Sequence, residues 1–224
     1  MSLRLHGPPC RRRHGFFLPG GSMARVMFFI DGFNVYHSLK HNVKYHKYLW
    51  LDFYALAERF TRKDDTVSKV HYFSAYATWK PHSMKRHRML VDALRSRGVS
   101  IVMANFKLKD RYCKICGASF KAREEKQTDV NIAVYLFKEA LANSYDTAII
   151  MTNDTDLVPA IKGIKEVFPA KKVGVLFPVD RWAKELEEVC DFWRKVEKKD
   201  LARSQFLDRL QLPSGIVLTR PQSW

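Results

Sequence analysis

Five short apolar runs rich in β-forming residues recur along the chain, and between them the apolar positions fall three and four residues apart. Residues 26–30 run directly into Asp31-Gly32-Phe33-Asn34, and 148–151 run into Thr152-Asn153-Asp154-Thr155-Asp156. An apolar run that stops abruptly at small polar residues is how a buried parallel strand ends. Residues 66–78, 99–104 and 172–177 read as three further strands. Asp52 is a candidate N-cap, and Phe53, Leu56, Ala57 and Phe60 follow at helical spacing. Pro81 suits the first turn of a helix over 81–97, with Met84, Leu90, Val91 and Leu94 turned inward and Gly98 past its end.

Residues 128–142 predict a deeply packed helix: Val130, Val134, Phe137 and Leu141 share one face, which Ile132, Ala133, Leu136 and Ala140 widen. Helices are also predicted over 156–168, with Pro159 in the first turn, and over 181–192. The polar stretch 105–126 interrupts the rhythm and reads as a protruding loop or small hairpin. After 198 the pattern predicts a helix around 201–210, with the last dozen residues flexible. Strand–helix alternation with five parallel strands defines an α/β domain, three-layered and doubly wound, over 23–197. Chemistry in such sheets gathers outside the carboxyl ends of the strands, at the point where the winding reverses. If the first strand and the one ending at Met151 are neighbours there, their terminal aspartates meet.

Composition narrows the partners. The formal charge of +16 favours a polyanion such as RNA. Four of the 39 cations and none of the 23 acids lie in residues 1–22, so the basic character belongs to the remainder. Those 22 residues, with four arginines and clustered Pro and Gly, read as a disordered leader or cloning scar and lack the apolar core of a signal peptide. No apolar run is long enough to cross a bilayer. Four cysteines, unevenly spaced, do not make a secreted disulfide framework, so a reducing, cytoplasmic setting is expected.

A lone Asp-Gly is best read as a turn, and Asp129 at the start of a helix can simply favour its dipole. Several carboxylates meeting in one crevice repel one another unless a cation lies between them, which points to a divalent ion with oxygen ligands. Asp31, Asp129 and Asp154 are the candidate ligands, and Asp156 is a further ligand or a cap. Taken together, Phe29-Ile30-Asp31-Gly32-Phe33-Asn34, Lys126-Gln127-Thr128-Asp129-Val130 and Thr152-Asn153-Asp154-Thr155-Asp156-Leu157 resemble the NYN domain, a group of PIN-like ribonucleases. The likeness spans roughly 25–177 and is strongest to the LabA-like, DUF88 branch. It implies a sheet of order 3-2-1-4-5, an acidic pocket for Mg2+ or Mn2+, and hydrolysis of RNA to 5′-phosphate and 3′-hydroxyl ends. It also implies that Asp31, Asp129, Asp154 and Asp156 are the acidic site positions and Asn34 their polar partner. Thr152-Asn153 stands where many members carry Ser-Gly. On this reading Asp156 orients water, Asn34 binds the phosphate or a water, Thr152 donates to phosphate and Lys126 neutralises its charge.

Cys113 and Cys116 have the spacing of half a zinc site, which needs two more ligands; Cys190, His71, His82 or a second subunit would have to supply them. Free thiols or a redox pair are equally economical. Arg111, Lys114 and Lys121, interleaved with Phe106, Tyr112 and Phe120, offer charge and stacking to single-stranded RNA, or are a solvated loop. The sequence leaves a homo-oligomer open. A non-catalytic RNA-binding module is the alternative function. A haloacid-dehalogenase phosphatase would need a second aspartate where Phe33 stands, and a receiver domain would need one where Asn105 stands. The single glycine of 31–34 excludes a dinucleotide loop.

Overall fold

A computed structural model describes residues 23–224. The expected leader over 1–22 lies outside the described residues. Strand β1 (Arg25–Asp31) leads into helix α1 (Gly32–His41), a 3-10 turn (Val43–Tyr48) and α2 (Phe53–Phe60). Next come β2 (Thr66–Ala75), α3 (Pro81–Ser96), β3 (Ser100–Tyr112), β4 (Ser119–Lys126) and α4 (Thr128–Leu141). Strand β5 (Thr147–Met151), α5 (Val158–Val167), β6 (Lys172–Phe177), α6 (Lys184–Val189) and β7 (Phe192–Lys195) complete the sheet. Its order is β4-β3-β2-β1-β5-β6-β7, parallel except for β4. The five strands legible in the sequence therefore lie in the order 3-2-1-4-5.

Alternation along β1 explains the three layers. Val26, Phe28 and Ile30 enter one core with α1, α2 and α3, whereas Met27 and Phe29 enter the other with α4, α5 and α6. Both faces of the central strands are thus covered, which is why β1 reads as a continuous apolar run. Asp52 caps α2 as expected, accepting from the Tyr54 and Ala55 amides at 2.9 and 3.1 Å, and it also accepts from Arg97 Nε at 2.9 Å.

Several sequence expectations need correction. Of the two readings of residues 105–126 the hairpin holds and the loop does not: β3 continues through them and pairs with β4 residue for residue, from Asn105 opposite Lys126 to Tyr112 opposite Ser119. This ribbon runs past β2, which pairs with β3 only as far as Ala104, so beyond Phe106 most of its β3 side chains are exposed and no apolar alternation marks it. The helix expected over 181–192 is shorter because Phe192 is drawn into β7, its ring filling the space over Gly174 that a Cβ would occupy. In the tail, α7 is confined to Lys198–Arg203, and Arg209–Gln211 (β8) and Val217–Thr219 (β9) form a hairpin. The last dozen residues, expected to be flexible, contribute buried Leu218, and Trp224 lies 6.2 Å from Trp50. That packing joins positions far apart in the chain, which local pattern does not register.

The rotation of α4 also differs. Ile132, Leu136 and Ala140 face the sheet, while Val130, Val134 and Leu141 are 62%, 55% and 74% exposed. A helix apolar around most of its girth announces itself by periodicity but not which edge turns inward.

Candidate active site

The site forms at the carboxyl ends of β1 and β5, adjacent strands in register from Val26 opposite Thr147 to Ile30 opposite Met151. That register brings the next residue of each strand together. Thr152 Oγ1 donates to Asp31 Oδ2 at 3.0 Å and accepts from the Asp154 amide at 3.0 Å. Asp31 Oδ1 accepts from the Asn34 amide at 2.9 Å and caps α1, while the same carboxyl lines the crevice. Asn34 Oδ1 accepts from the Asn153 amide at 3.2 Å, tying the two strand exits together. Asp154 caps the turn Thr155–Leu157 through the Asp156 amide at 3.1 Å.

A cavity of about 390 Å³ opens there, and Asp31, Asn34, Asp129 and Asp154 line it together with Glu125 and Arg181. Asp129 arrives on the first turn of α4, two residues after the N-cap Gln127, which holds φ at 81°. A non-glycine residue in the left-handed region is strained, and such strain collects at functional sites. Asp156 is exposed and outside the cavity lining, although its charge acts on Asp129.

The carboxyl groups perturb one another. Asp31, 3% exposed, is pushed up to about 6, first by burial and then by the charges of Asp129 and Asp154, against the opposing pull of its Asn34 and Thr152 hydrogen bonds. Burial, followed by Asp154 and Asp156, raises Asp129. Glu125, hydrogen-bonded by Thr128, is pushed up to about 7 by burial, Asp31 and Asp129. These are hard oxygen donors whose charged forms are disfavoured when left alone, the donor chemistry that suits Mg2+ or Mn2+. Among the described residues no three of His, Cys, Asp or Glu stand at metal-holding separations. The carboxylates share one cavity without forming a closed cage.

Sequence reasoning missed Glu125, Gln127, His37 and Arg181. Glu125 was hidden in a charge run, but pairing opposite Phe106 puts it on the ribbon face that meets the cavity. Arg181 follows β6, and a cation just past a strand's carboxyl end was a usable signal. Other expected residues lie elsewhere. Lys126 bonds Glu124 at 2.9 Å, on the opposite ribbon face from Glu125. Arg111 shares Glu124 with it, and together they hold that carboxyl down to about 2. Lys121 falls on the Glu125 face, and Lys114 is in the exposed turn, so the three cations do not make one patch. Thr152 is fully buried with its hydroxyl committed to Asp31, so it positions two aspartates rather than reaching RNA.

Cys113 and Cys116 occupy the same turn, where backbone amides of Cys116 and Ile115 lower the Cys113 thiol. Cys190 is half-buried after α6 and raised to about 11 by burial, and His71 is buried in the sheet 3.3 Å from Glu139. Neither joins the pair, nor does His82 at the start of α3. The described residues thus supply two of the four ligands zinc requires.

Replacing Thr152 with valine removes a hydrogen bond that lowers the Asp31 pKa. A reaction that needs ionised Asp31 then moves its acidic limb to higher pH, whereas Thr152→Ser leaves it in place. A pH–rate profile of the two variants checks this; superimposable profiles would rule out the coupling.

The family model described as NYN domain matches residues 25–196. The 6-hydroxy-3-succinoylpyridine 3-monooxygenase of Pseudomonas putida is 24% identical over 240 residues, covering 89% of this chain and 75% of that protein. A crystal structure of a Vibrio parahaemolyticus protein of unknown function superposes with a TM-score of 0.56 at 17% identity, covering 81% of this chain and 98% of that one. That likeness supports the α/β fold. No helix among the described residues is long and apolar enough to cross a membrane.

Proposed function

The chain belongs to the NYN domain family, and from that premise we propose that it is a divalent-metal-dependent ribonuclease hydrolysing phosphodiester bonds of single-stranded RNA. The observation that carries this reading is the convergence of Asp31, Asp129 and Asp154, from three separate stretches, on one polar cavity at the switch point of the sheet. Asp31, Asp129 and Asp154 would hold Mg2+ or Mn2+, with Asp156 at the rim as an outer partner. A bound divalent cation supplies Lewis acidity and charge neutralisation for in-line displacement at phosphorus.

The chain's own groups divide the remaining work. Asn34, whose carboxamide oxygen is engaged by the Asn153 amide, has its NH2 to donate to a phosphate oxygen. Arg181 takes the neutralising role on the phosphate, since it lines the cavity and Lys126 is bonded to Glu124. Glu125, near neutral in pKa, is suited to take the proton of the attacking water. Water adds to phosphorus and the bond to the 3′ oxygen breaks, giving 3′-hydroxyl and 5′-phosphate ends.

The second reading is an RNA-binding module without chemistry. It is favoured by two observations: among the described residues no three of His, Cys, Asp or Glu stand close enough to hold a metal, and both oxygens of Asp31 already accept hydrogen bonds. The monooxygenase activity of the Pseudomonas protein is not carried over, because an acid-lined polar cavity suits a cation-bridged phosphate better than a neutral ring. Metal-stripped protein incubated with end-labelled single-stranded RNA decides between the two readings. Cleavage should appear only on adding Mg2+ or Mn2+ and fall about a hundredfold or more in Asp154→Asn; RNA bound but left uncut with metal present, or cut no faster than by Asp154→Asn, would favour the second reading.

A further inference from the structure

Next to the acidic cavity lies another of about 320 Å³, and Phe33 and His37 line both. Its character is different. Three half-buried rings run along its mouth: Phe33 meets Phe106 edge-on at 5.3 Å, and Phe106 meets Trp79 edge-on at 4.6 Å. The Arg123 guanidinium lies 4.5 Å over the Trp79 ring. Deeper in, the Tyr72 hydroxyl and His87 Nε2 are 3.2 Å apart, and burial holds His87 down to about 4, so both are neutral at physiological pH.

One polar group is unmatched. Arg86 Nη2 donates to Ser83 Oγ at 3.3 Å, but the buried Arg86 Nε has no hydrogen-bond partner among the described residues. A buried donor without an acceptor is costly, and in a ligand cavity it points to an acceptor brought by the ligand. Aromatic walls, neutral polar groups and one waiting N–H fit a flat heteroaromatic ring with an acceptor on its edge. The volume lies at the small end of the roughly 300–1,000 Å³ range of ligand pockets, so it suits one ring system rather than a stack or a duplex. Lys80, Arg86 and Arg123 also line it, which favours a ring that carries phosphate. The shared Phe33 wall puts such a ring one step from the acidic cavity.

We propose that this pocket takes one unstacked nucleobase of a single-stranded RNA, packed against Trp79 and Phe106, while the adjoining phosphate enters the acidic cavity. The inference rests on the RNA reading given above and adds a contact to the base. It turns the backbone-directed site into one that senses a single base position, because base stacking on aromatic rings adds affinity wherever a base is present.

The test compares a short single-stranded oligoribonucleotide with versions of the same backbone that carry one abasic residue at each position in turn. Binding to the wild-type protein in Ca2+ is followed by fluorescence anisotropy. One abasic position should weaken binding about tenfold while its neighbours do little. Trp79→Ala should weaken the intact RNA by a similar factor and erase that positional effect, and Trp79→Phe, which keeps a ring, should restore it. Equal affinity for every abasic version, or a positional effect that survives Trp79→Ala, overturns the base pocket and leaves the ribonuclease reading standing. Failure to bind intact RNA overturns both. Quenching of Trp79 by a free pyridine-type ring in a protein that does not bind RNA would reassign the pocket to a small molecule.

Discussion

Asp31→Asn is expected to abolish metal-dependent RNA cleavage and at the same time to stabilise the metal-free protein at alkaline pH. The two effects share one cause. The Asp31 carboxyl moves from 3.8 to about 6 on folding, chiefly through burial. Well below pH 3.8, near pH 3 and lower, it is largely protonated in both states and costs almost nothing. As pH rises through that window the unfolded chain releases the proton first, so the native state loses stability, by at most about 3 kcal/mol once both forms are ionised. Glu125, displaced from 4.5 to about 7, acts in the same direction. Asparagine stays neutral throughout and can still accept from the Asn34 amide. Its NH2 would face Thr152 Oγ1, which loses a partner for its own hydrogen, a cost of about 1 kcal/mol. A net gain of about 2 kcal/mol at pH 8 remains, against a net loss of about 1 kcal/mol near pH 3, where only the Thr152 cost is left. Thermal melting in EDTA reads it directly, at roughly 2–4 °C per kcal/mol for a chain of this size. Mg2+ should raise the wild-type midpoint at pH 8 and leave that of Asp31→Asn unchanged. Wild type and variant melting together at pH 8 would mean that Asp31 carries no buried charge there.

Gly32→Ala should be the most damaging single methyl group in the site. A Cβ at this position would lie 2.5 Å from Cζ of Tyr72 and 2.7 Å from the Phe73 carbonyl oxygen. Neither can withdraw: Tyr72 is 3% exposed with its hydroxyl against His87, and the carbonyl is part of β2. Alanine would bring a helix-propensity gain and a loss of unfolded-state entropy, each at most about 1 kcal/mol. Overpacking costs about 1–3 kcal/mol, and a contact this short against fixed backbone belongs at the upper end, about 3 kcal/mol. The clash therefore wins, and the start of α1 must move away from β2, taking the Asn34 amide and its bond to Asp31 with it. Chemical denaturation should show a loss of about 1 kcal/mol or more, and cleavage should fall even at temperatures where the variant is folded. A stability within 0.5 kcal/mol of wild type would show that β2 yields.

Much of this site was legible because strand ends announce themselves. Asp31 and Asp154 each follow an apolar run that cannot continue, and a doubly wound sheet brings such ends to one edge. Asp129 was legible from the helix that starts beside it. Glu125 was not, because whether it or Glu124 meets the cavity depends on which face of the β3–β4 ribbon turns inward, and that is set by pairing with Phe106. Lys126 and Arg111 looked available for phosphate until that pairing gave both to Glu124. Thr152 looked like a phosphate donor until the β1–β5 register aligned it with Asp31.

By itself the sequence determined the alternation of strand and helix, the basic character of the chain and the three aspartates that line the cavity, since these depend on local spacing and on charge. Only the tertiary structure decided which partners those charges take, how α4 is rotated, and that an aromatic pocket adjoins the acidic one. Such outcomes depend on register and on contacts between segments a hundred residues apart, where a shift of one position exchanges the buried face for the exposed one.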